Sequence, residues 1–414
     1  MTLTRPALFS YGAFGLPLAM VALPLYVYIP QFYAEKFGLS LSVIGAALLL
    51  MRLLDASFDP LIGLALDRIR TRHRYRKAIL LATLPLTFGF IALFRPPALD
   101  SAQVLPWFAA ASVTVYAGFS LATISYQSWG AALTQALTQR ARLSAAREGC
   151  GLIGVILAAI LPPLYGMDTL CWLFVASLLL SLLPLLLWSP RPQRRPENLP
   201  APGLRSWLSP FHNQRFRWLL AAFMLNGIAA AIPATLFLFF AKDRLQLGDQ
   251  AGLFLVLYFA AAALSMPLWV ALAKRHGEAR VWMAAMLLTL LAFVWIVQLP
   301  AAALWSFGLI CMLTGAALGA DLVLPAALLA AVIANAGHSG QREGSYFGLW
   351  NCGSKLNLAL AAGVALPLLD WLGYRPGTTS VDGIAALVLI YAALPCLLKL
   401  LALLVLWRAP LTDI

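Results

Sequence analysis

Apolar residues run along this chain in long blocks, separated by short clusters of polar and charged positions. A helix that crosses the hydrocarbon core of a bilayer needs ~20 mostly apolar residues. Twelve blocks of that kind can be read, near 7–33, 38–66, 78–95, 104–134, 144–167, 169–188, 217–241, 250–273, 280–299, 302–336, 343–371 and 383–407. They predict an all-α integral membrane protein of twelve transmembrane helices. The fifth and sixth blocks are separated only around Gly166–Asp168.

The pattern repeats. Pro60-Leu-Ile-Gly-Leu-Ala-Leu-Asp67-Arg68 follows the second block and Pro267-Leu-Trp-Val-Ala-Leu-Ala-Lys274-Arg275 follows the eighth, half a chain later. Two six-helix halves are therefore expected, 1–188 and 217–414, joined by a linker at 189–216. That linker carries Pro190, Pro192, Pro196, Pro200 and Pro202 among basic residues, the composition of an extended connector. Parallel halves with a solute site between them at the bilayer midplane are the major facilitator architecture. The basic motif itself has two readings. It marks topology, or it supplies gate contacts through Asp67, Arg68 and Arg275; topology alone does not require the acid.

Composition sharpens the class. The 414 residues are 62% hydrophobic and 11% charged, whereas soluble proteins average about 25% charged residues. The net charge of +13 suggests a nucleic-acid partner until its distribution is followed. With the N-terminus in the cytoplasm, most of the 29 Lys and Arg fall on cytoplasmic ends and connections, and only Lys36, Arg95, Lys242, Arg244 and Arg375 face outward. This is the positive-inside rule, so basicity sets topology, with both termini cytoplasmic in an inner or plasma membrane, and names no nucleic acid. The first block is of full spanning length and lacks an A-x-A-like site, so no cleavable leader is expected. The five cysteines are scattered without a CxxC pair, the pattern of buried free thiols rather than disulfides or a metal centre. With no HExxH, GxSxG or paired-His motif, an enzyme is not expected and neither is a cofactor. The implied partners are a small solute and the lipid bilayer, around a monomer.

Against this apolar background, Arg52, Asp55 and Asp59 stand out in the second block. A charge at the bilayer centre costs roughly 2.5–3.5 kcal/mol on insertion scales and is usually retained for function. Spacings of three and four put all three on one helix face. Two carboxylates at i and i+4 can hold a hard cation or share a proton. The competing reading, a structural ion pair between Arg52 and one acid, leaves the second acid unpaired. Arg147, Lys355 and Asp321 are further charges inside apolar blocks, which makes three positive and three negative with the helix-2 set. Asp321 either joins that network or caps a broken helix near Pro325. Gln127, Asn226, Trp350, Asn351 and Asn357 either line a cavity or bond helix to helix.

Several strings together resemble one family. They are Tyr11-Gly-Ala-Phe-Gly15, Phe32-Tyr33, Gly38-Leu-Ser40 and Arg52-Leu-Leu-Asp55-Ala-Ser-Phe-Asp59-Pro60-Leu-Ile-Gly63, with weaker matches at Ser125-Tyr-Gln-Ser-Trp129-Gly, Arg147, Glu343 with Lys355, and Gly373-Tyr374. The chain is thereby similar to the glycoside–pentoside–hexuronide:cation symporters. The resemblance implies a coupling cation, H+ or Na+, at Asp55 and Asp59. It implies sugar contacts from Trp129 and Arg147, and Lys355 beside the cation site. Gln127 and Ser125 flank Trp129 on the substrate side, and Thr123 is the helix-4 hydroxyl that would complete a cation shell. Cation binding would then free Lys355 or Arg147 from a carboxylate for the solute.

The chain also departs from that family. Leu16-Pro17 stands where a helix-1 acid is usual, Ser125 or a neighbour replaces a helix-4 acid, and Ala330-Ala-Val-Ile-Ala334 replaces an Ala-Asp-x-x-Asp string. Phe58 occupies the position between the acids that often carries an amide in sodium-coupled members. A buried polyol site needs several polar partners. Cation-coupled symport of a sugar or glycoside is thus the leading expectation. Transport of a lysophospholipid or other amphiphile, or a receptor on the same scaffold without transport, are the alternatives.

Overall fold

The computed structural model describes residues 5–68, 73–133, 137–188, 210–337 and 343–411, and all regular structure among them is helical. The helices are α1 (Arg5–Gly12), α2 (Gly15–Phe37), α3 (Leu41–Arg68), α4 (Arg74–Phe94), α5 (Ser101–Leu133), α6 (Leu137–Trp188), α7 (Gln214–Phe239), α8 (Ala251–His276), α9 (Glu278–Val294), α10 (Leu304–Asn335), α11 (Glu343–Trp371), α12 (Val381–Val388) and α13 (Leu394–Arg408). Short π turns, Phe240–Arg244 and Leu389–Ala393, extend α7 and join α12 to α13.

Eleven helical stretches among the described residues are long and apolar enough to cross a membrane. One of them, Ala146–Trp188, is a double span, because its helix breaks at Gly166 (φ 81, ψ 166). An L-residue would be strained there, so glycine is what lets the chain reverse without a loop. Twelve spans result, and the break lies where the sequence separates its fifth and sixth blocks.

Local chemistry accounts for other boundaries. Gly38 (φ 66) ends α2 while the amides of Gly38 and Leu39 return to the carbonyls of Ala34 and Tyr33, the left-handed cap typical of helix C-termini. Two residues later the Ser40 hydroxyl accepts from Val43 N (3.3 Å) and starts α3. Pro17 falls in the first turn of α2, where the missing N–H removes no helical bond.

The chain divides into two compact units. The first comprises Met1–Leu25 and Met51–Ala201, the second Tyr26–Leu50 and Pro202–Ile414. In each, glycines let helices approach backbone to backbone. A Cβ on Gly118 of α5 would stand 2.4 Å from Leu86 N of α4, and one on Gly89 of α4 would stand 2.5 Å from Val115 N of α5. In the second unit Gly315 of α10 lies under the Tyr258 carbonyl of α8. Beside it, Ser265 Oγ and Trp269 Nε1 both donate to Ala316 O (2.8 and 2.7 Å). Lipid is as apolar as leucine, so such close approach and interhelical bonding, rather than exclusion of water, hold helices together in a bilayer. The exterior is correspondingly oily, with Leu84, Leu180 and Leu264 exposed, and Trp188, Trp305, Trp371 and Trp407 exposed at span ends.

Gly118→Leu should abolish the α4–α5 crossing and cut the yield of folded protein sharply. Gly149→Ala should keep or slightly raise thermal stability, since a Cβ there meets nothing within 4 Å and alanine stabilises a helix by roughly 0.5–1 kcal/mol over glycine. Fluorescence-detected size exclusion after heating reads both.

Candidate functional site

The helix-2 charges lie on α3 in the first unit, against a ladder of hydroxyls on α5. Ser112, Tyr116, Ser120 and Thr123 recur at four, four and three residues and share one face of α5. Arg52 is buried, its Nη2 donating to the Leu25 carbonyl (3.3 Å) and its guanidinium carbon 5.5 Å from the centre of the Tyr116 ring. One turn on, Ser120 Oγ donates to Asp55 Oδ1 at 2.5 Å, the length of a charge-assisted O–H···O⁻ bond. Asp59 follows one turn after Asp55 on α3, and Thr123 follows Ser120 by three residues on α5. Thr123 Oγ1 is buried with no hydrogen-bond partner among the described residues. Asp55 and Asp59 are half-buried, and Phe58 between them is exposed. One carboxylate, one hydroxyl and a buried guanidinium are thereby brought against α5.

Ser120 was not singled out from the sequence. Its signal was the hydroxyl period along 112–123, hidden because each residue alone is unremarkable in an apolar helix.

Near this cluster, α1, α2, α5 and α6 meet. Tyr11 and Tyr126 stack with ring centres 4.4 Å apart. They also exchange bonds, Tyr11 Oη to Tyr126 O (3.2 Å) and Tyr126 Oη to Tyr11 O (2.6 Å). A Cβ on Gly130 would collide with the Tyr11 hydroxyl. Gly15 lies against the Arg147 backbone, and Gly154 lies under the Leu16 carbonyl. Leu16-Pro17, where the family resemblance leads one to look for an acid, is thus a packing contact. Arg147 is partly exposed and pairs with its neighbour Glu148, whose Oε1 accepts from Nη2 at 2.5 Å and from Nε at 3.1 Å.

Other expected residues fall differently. Trp129, expected to stack on solute, is 0% exposed, with the Arg76 guanidinium carbon 5.6 Å from its ring centre. It is a core residue in this conformation, because the α5 turn that carries it faces inward. Ser125 is likewise fully buried, with its hydroxyl unpartnered among the described residues, while Gln127 is exposed. In the second unit Lys355 lies half-buried on α11. Asn357, also on α11, is buried with its amide nitrogen over Gly227. Arg275 is exposed in the last turn of α8, alongside Lys274 and His276, where positive charge complements the helix dipole. The side chains of Asp67, Arg68 and Glu343 lie outside the described residues.

Asp321 belongs neither to a cap nor to the α3 cluster. Its Oδ2 lies 3.4 Å from Lys399 Nζ on α13, its Oδ1 accepts from Trp282 Nε1 on α9 (2.7 Å), and Lys399 also donates to Thr289 Oγ1 (3.3 Å). With side chains only 12% and 6% exposed, the pair ties α9, α10 and α13 within the second unit. Lys399 is the intramembrane cation that the sequence balance of three against three left out.

The sequence pattern of the MFS/sugar transport protein family matches residues 9–413. The glucuronide carrier protein homolog of Escherichia coli (strain K12) is 26% identical over 94% of this chain and 88% of its own length. The isoprimeverose transporter of Lactiplantibacillus pentosus is 27% identical over a shorter match, 33% of this chain and 29% of that protein. Among solved structures, the nucleoside transporter NupG superposes with a TM-score of 0.69 at 17% identity, covering 98% of this chain and all of that one. At that identity the superposition establishes the fold alone.

Lys399→Met or Asp321→Asn alone should destabilise by roughly 3–5 kcal/mol, since each strands a buried charge, while the double substitution should recover most of that loss. Thermal unfolding of the purified variants checks this. A double variant as unstable as the worse single would mean that the pair does more than neutralise itself.

Proposed function

The chain belongs to the MFS/sugar transport protein family and is a multi-pass membrane transporter; on that premise we propose that it is a proton-coupled symporter of a sugar or glycoside, working by alternating access in the plasma membrane. The observation that carries the coupling reading is the α3–α5 contact, where Ser120 donates to Asp55 with Asp59 one turn further along the same helix. Two carboxylates at i and i+4 offer a site for one small cation, and a proton is the cation that needs the fewest further ligands. A sodium ion wants a fuller oxygen shell. Two carboxylates and two hydroxyls, one already committed to Asp55, supply a thin one, and Phe58 adds no oxygen. The low-dielectric surroundings make the charge state of the cluster expensive to change without a compensating event, which is what coupling requires.

The solute class rests on resemblance to relatives named as a glucuronide carrier homolog and an isoprimeverose transporter. Arg147, partly exposed, and Gln127, exposed on α5, offer polar groups to solute hydroxyls. Lys355 on α11 is the corresponding cation of the second.

Thermal stability of the purified protein, read against pH, sodium and lithium, tests the ion, because a ligand of the folded state stabilises by mass action. A pH-linked shift in the parent that is lost in both Asp55→Asn and Asp59→Asn is expected, with no effect of sodium. A sodium shift lost in both would replace the proton by sodium, and no response of either kind would remove the coupled reading. Ser120→Ala should fold and weaken the pH-linked shift, since a hydrogen bond to a charged group contributes roughly 1.5–3 kcal/mol. Binding of glycosides compared with lysophospholipids then decides the solute: a lysophospholipid that binds where no glycoside does would reassign the protein as an amphiphile transporter.

A further inference from the structure

Arg52 is a buried cation without a counter-ion. Its side chain donates from Nη2 to the Leu25 carbonyl at 3.3 Å, and its Nε is buried with no hydrogen-bond partner among the described residues. No ion pair to Arg52 forms among those residues either, and Asp55, three residues on, takes its bond from Ser120. The structural ion pair that the sequence allows between Arg52 and an acid is therefore not made. A charge inside a span is costly, and more so when nothing pairs with it, so its retention points to a use for the charge itself.

The α5 face beside it is unusual as well. Hydroxyls within spans commonly bond back to their own helix, as Thr114 does to Ala110 O (2.7 Å), Thr235 to Ala231 O (2.9 Å) and Thr314 to Ile310 O (2.7 Å). On the Ser112–Thr123 face the hydroxyls turn away from their helix. Ser120 bonds Asp55, and the hydroxyls of Ser112 and Thr123 are buried without a hydrogen-bond partner among the described residues. Tyr116 stands between Ser112 and Ser120, its ring centre 5.5 Å from the Arg52 guanidinium carbon. Hydroxyls at one-turn intervals, each able to bond a bridging water, make a route along which protons can pass. Its two ends differ. Ser112 and Tyr116 are 0% and 5% exposed, whereas Asp55 and Asp59 are half-buried and Phe58 is 50% exposed. The end with the acids is open, and the Ser112 end is closed.

We propose that Arg52 is an electrostatic barrier in this route, a fixed positive charge that stops protons from passing between Asp55 and the Ser112 end of α5. A proton crossing at Tyr116 would carry its charge past a guanidinium that no counter-ion offsets. In low-dielectric surroundings that repulsion is little screened, and an arginine or a helix dipole excludes protons from membrane pores in the same way. Arginine suits the task because its charge is permanent. Asp55 and Asp59 both follow Arg52 on α3, so they draw protons to the open side and leave the barrier on the other. The purpose of the barrier rests on the proton-coupled reading above, since a coupling site that leaked would dissipate the gradient it uses. The barrier itself does not.

Passive proton flux tests this without any solute. Purified protein is placed in liposomes loaded with a pH-sensitive dye, potassium and valinomycin clamp the voltage, and the decay of an imposed pH gradient is followed. The parent should leak no faster than protein-free liposomes. Arg52→Gln should leak at least about tenfold faster, since a unit charge ~10 Å from the path changes a barrier by about that factor at an effective dielectric of ~20. Arg52→Lys, which keeps the charge, should stay near the parent. Ser112→Val added to Arg52→Gln should restore slow decay, because the route loses a hydroxyl. Ser112→Asp alone should also leak, because its carboxylate offsets the guanidinium while relieving the cost of burying it. Parental decay in a folded Arg52→Gln or, where that variant does not fold, in Ser112→Asp overturns the barrier. Fast decay in Arg52→Lys does the same. A leak that Ser112→Val fails to remove, or that also passes chloride, is a general opening and overturns it too. Loss of the pH-linked thermal shift in the parent would fail the coupling reading, while the leak still decides the barrier.

Discussion

A polar group inside a hydrocarbon slab must find its partner within the protein, and the architecture of this chain follows from that constraint. Water is absent from the bilayer core, so backbone polarity is satisfied only by helices, and each side-chain charge needs an answering group. Arg52 is answered by a carbonyl and an aromatic face, Asp55 by Ser120, and Asp321 by Lys399 and Trp282. The ends of α1 and α5 are fixed by two tyrosines that bond reciprocally to each other's carbonyls. Each arrangement joins different helices, so satisfying local polarity also sets tertiary contacts.

The second organising element is the absence of side chains. With no hydrophobic force between helices in lipid, dispersion at short range takes over, and it is strongest where glycine lets two backbones meet. The α4–α5 and α8–α10 crossings are built this way, and so is the seating of α3 on α11. The α3–α11 contact is bordered by the Asp370–Ser42 bond, the Glu35–Lys242 pair and a cavity.

These two elements place the candidate coupling chemistry on a stable frame. The acids stand on α3 and the hydroxyls on α5, both long helices, and α5 is tied firmly to α4. The candidate site is therefore built on helix register rather than on loops. Ser125 and Trp129, two and six residues beyond Thr123 on the same helix, are turned into the core. The polar lining of the first unit is consequently narrower than its inventory of polar residues.

Much of this was legible in the sequence. Block length set the number of spans, Gly166 the break in the fifth-to-sixth pair, and the i, i+3, i+4 spacing of Arg52, Asp55 and Asp59 their shared face, because helix period and bilayer thickness are fixed quantities. What each buried charge is paired with was not legible. Lys399 lies 78 residues from Asp321, and Ser120 lies 65 from Asp55. Likewise, nothing local distinguishes a tryptophan turned toward solute from one turned toward Arg76. The sequence by itself determined the spans and the helix that carries the acids. Only the tertiary structure decided partners and exposure, and with them the allegiance of residues 26–50, because these depend on which helix faces meet across long loops of chain, and helical periodicity carries no information about that.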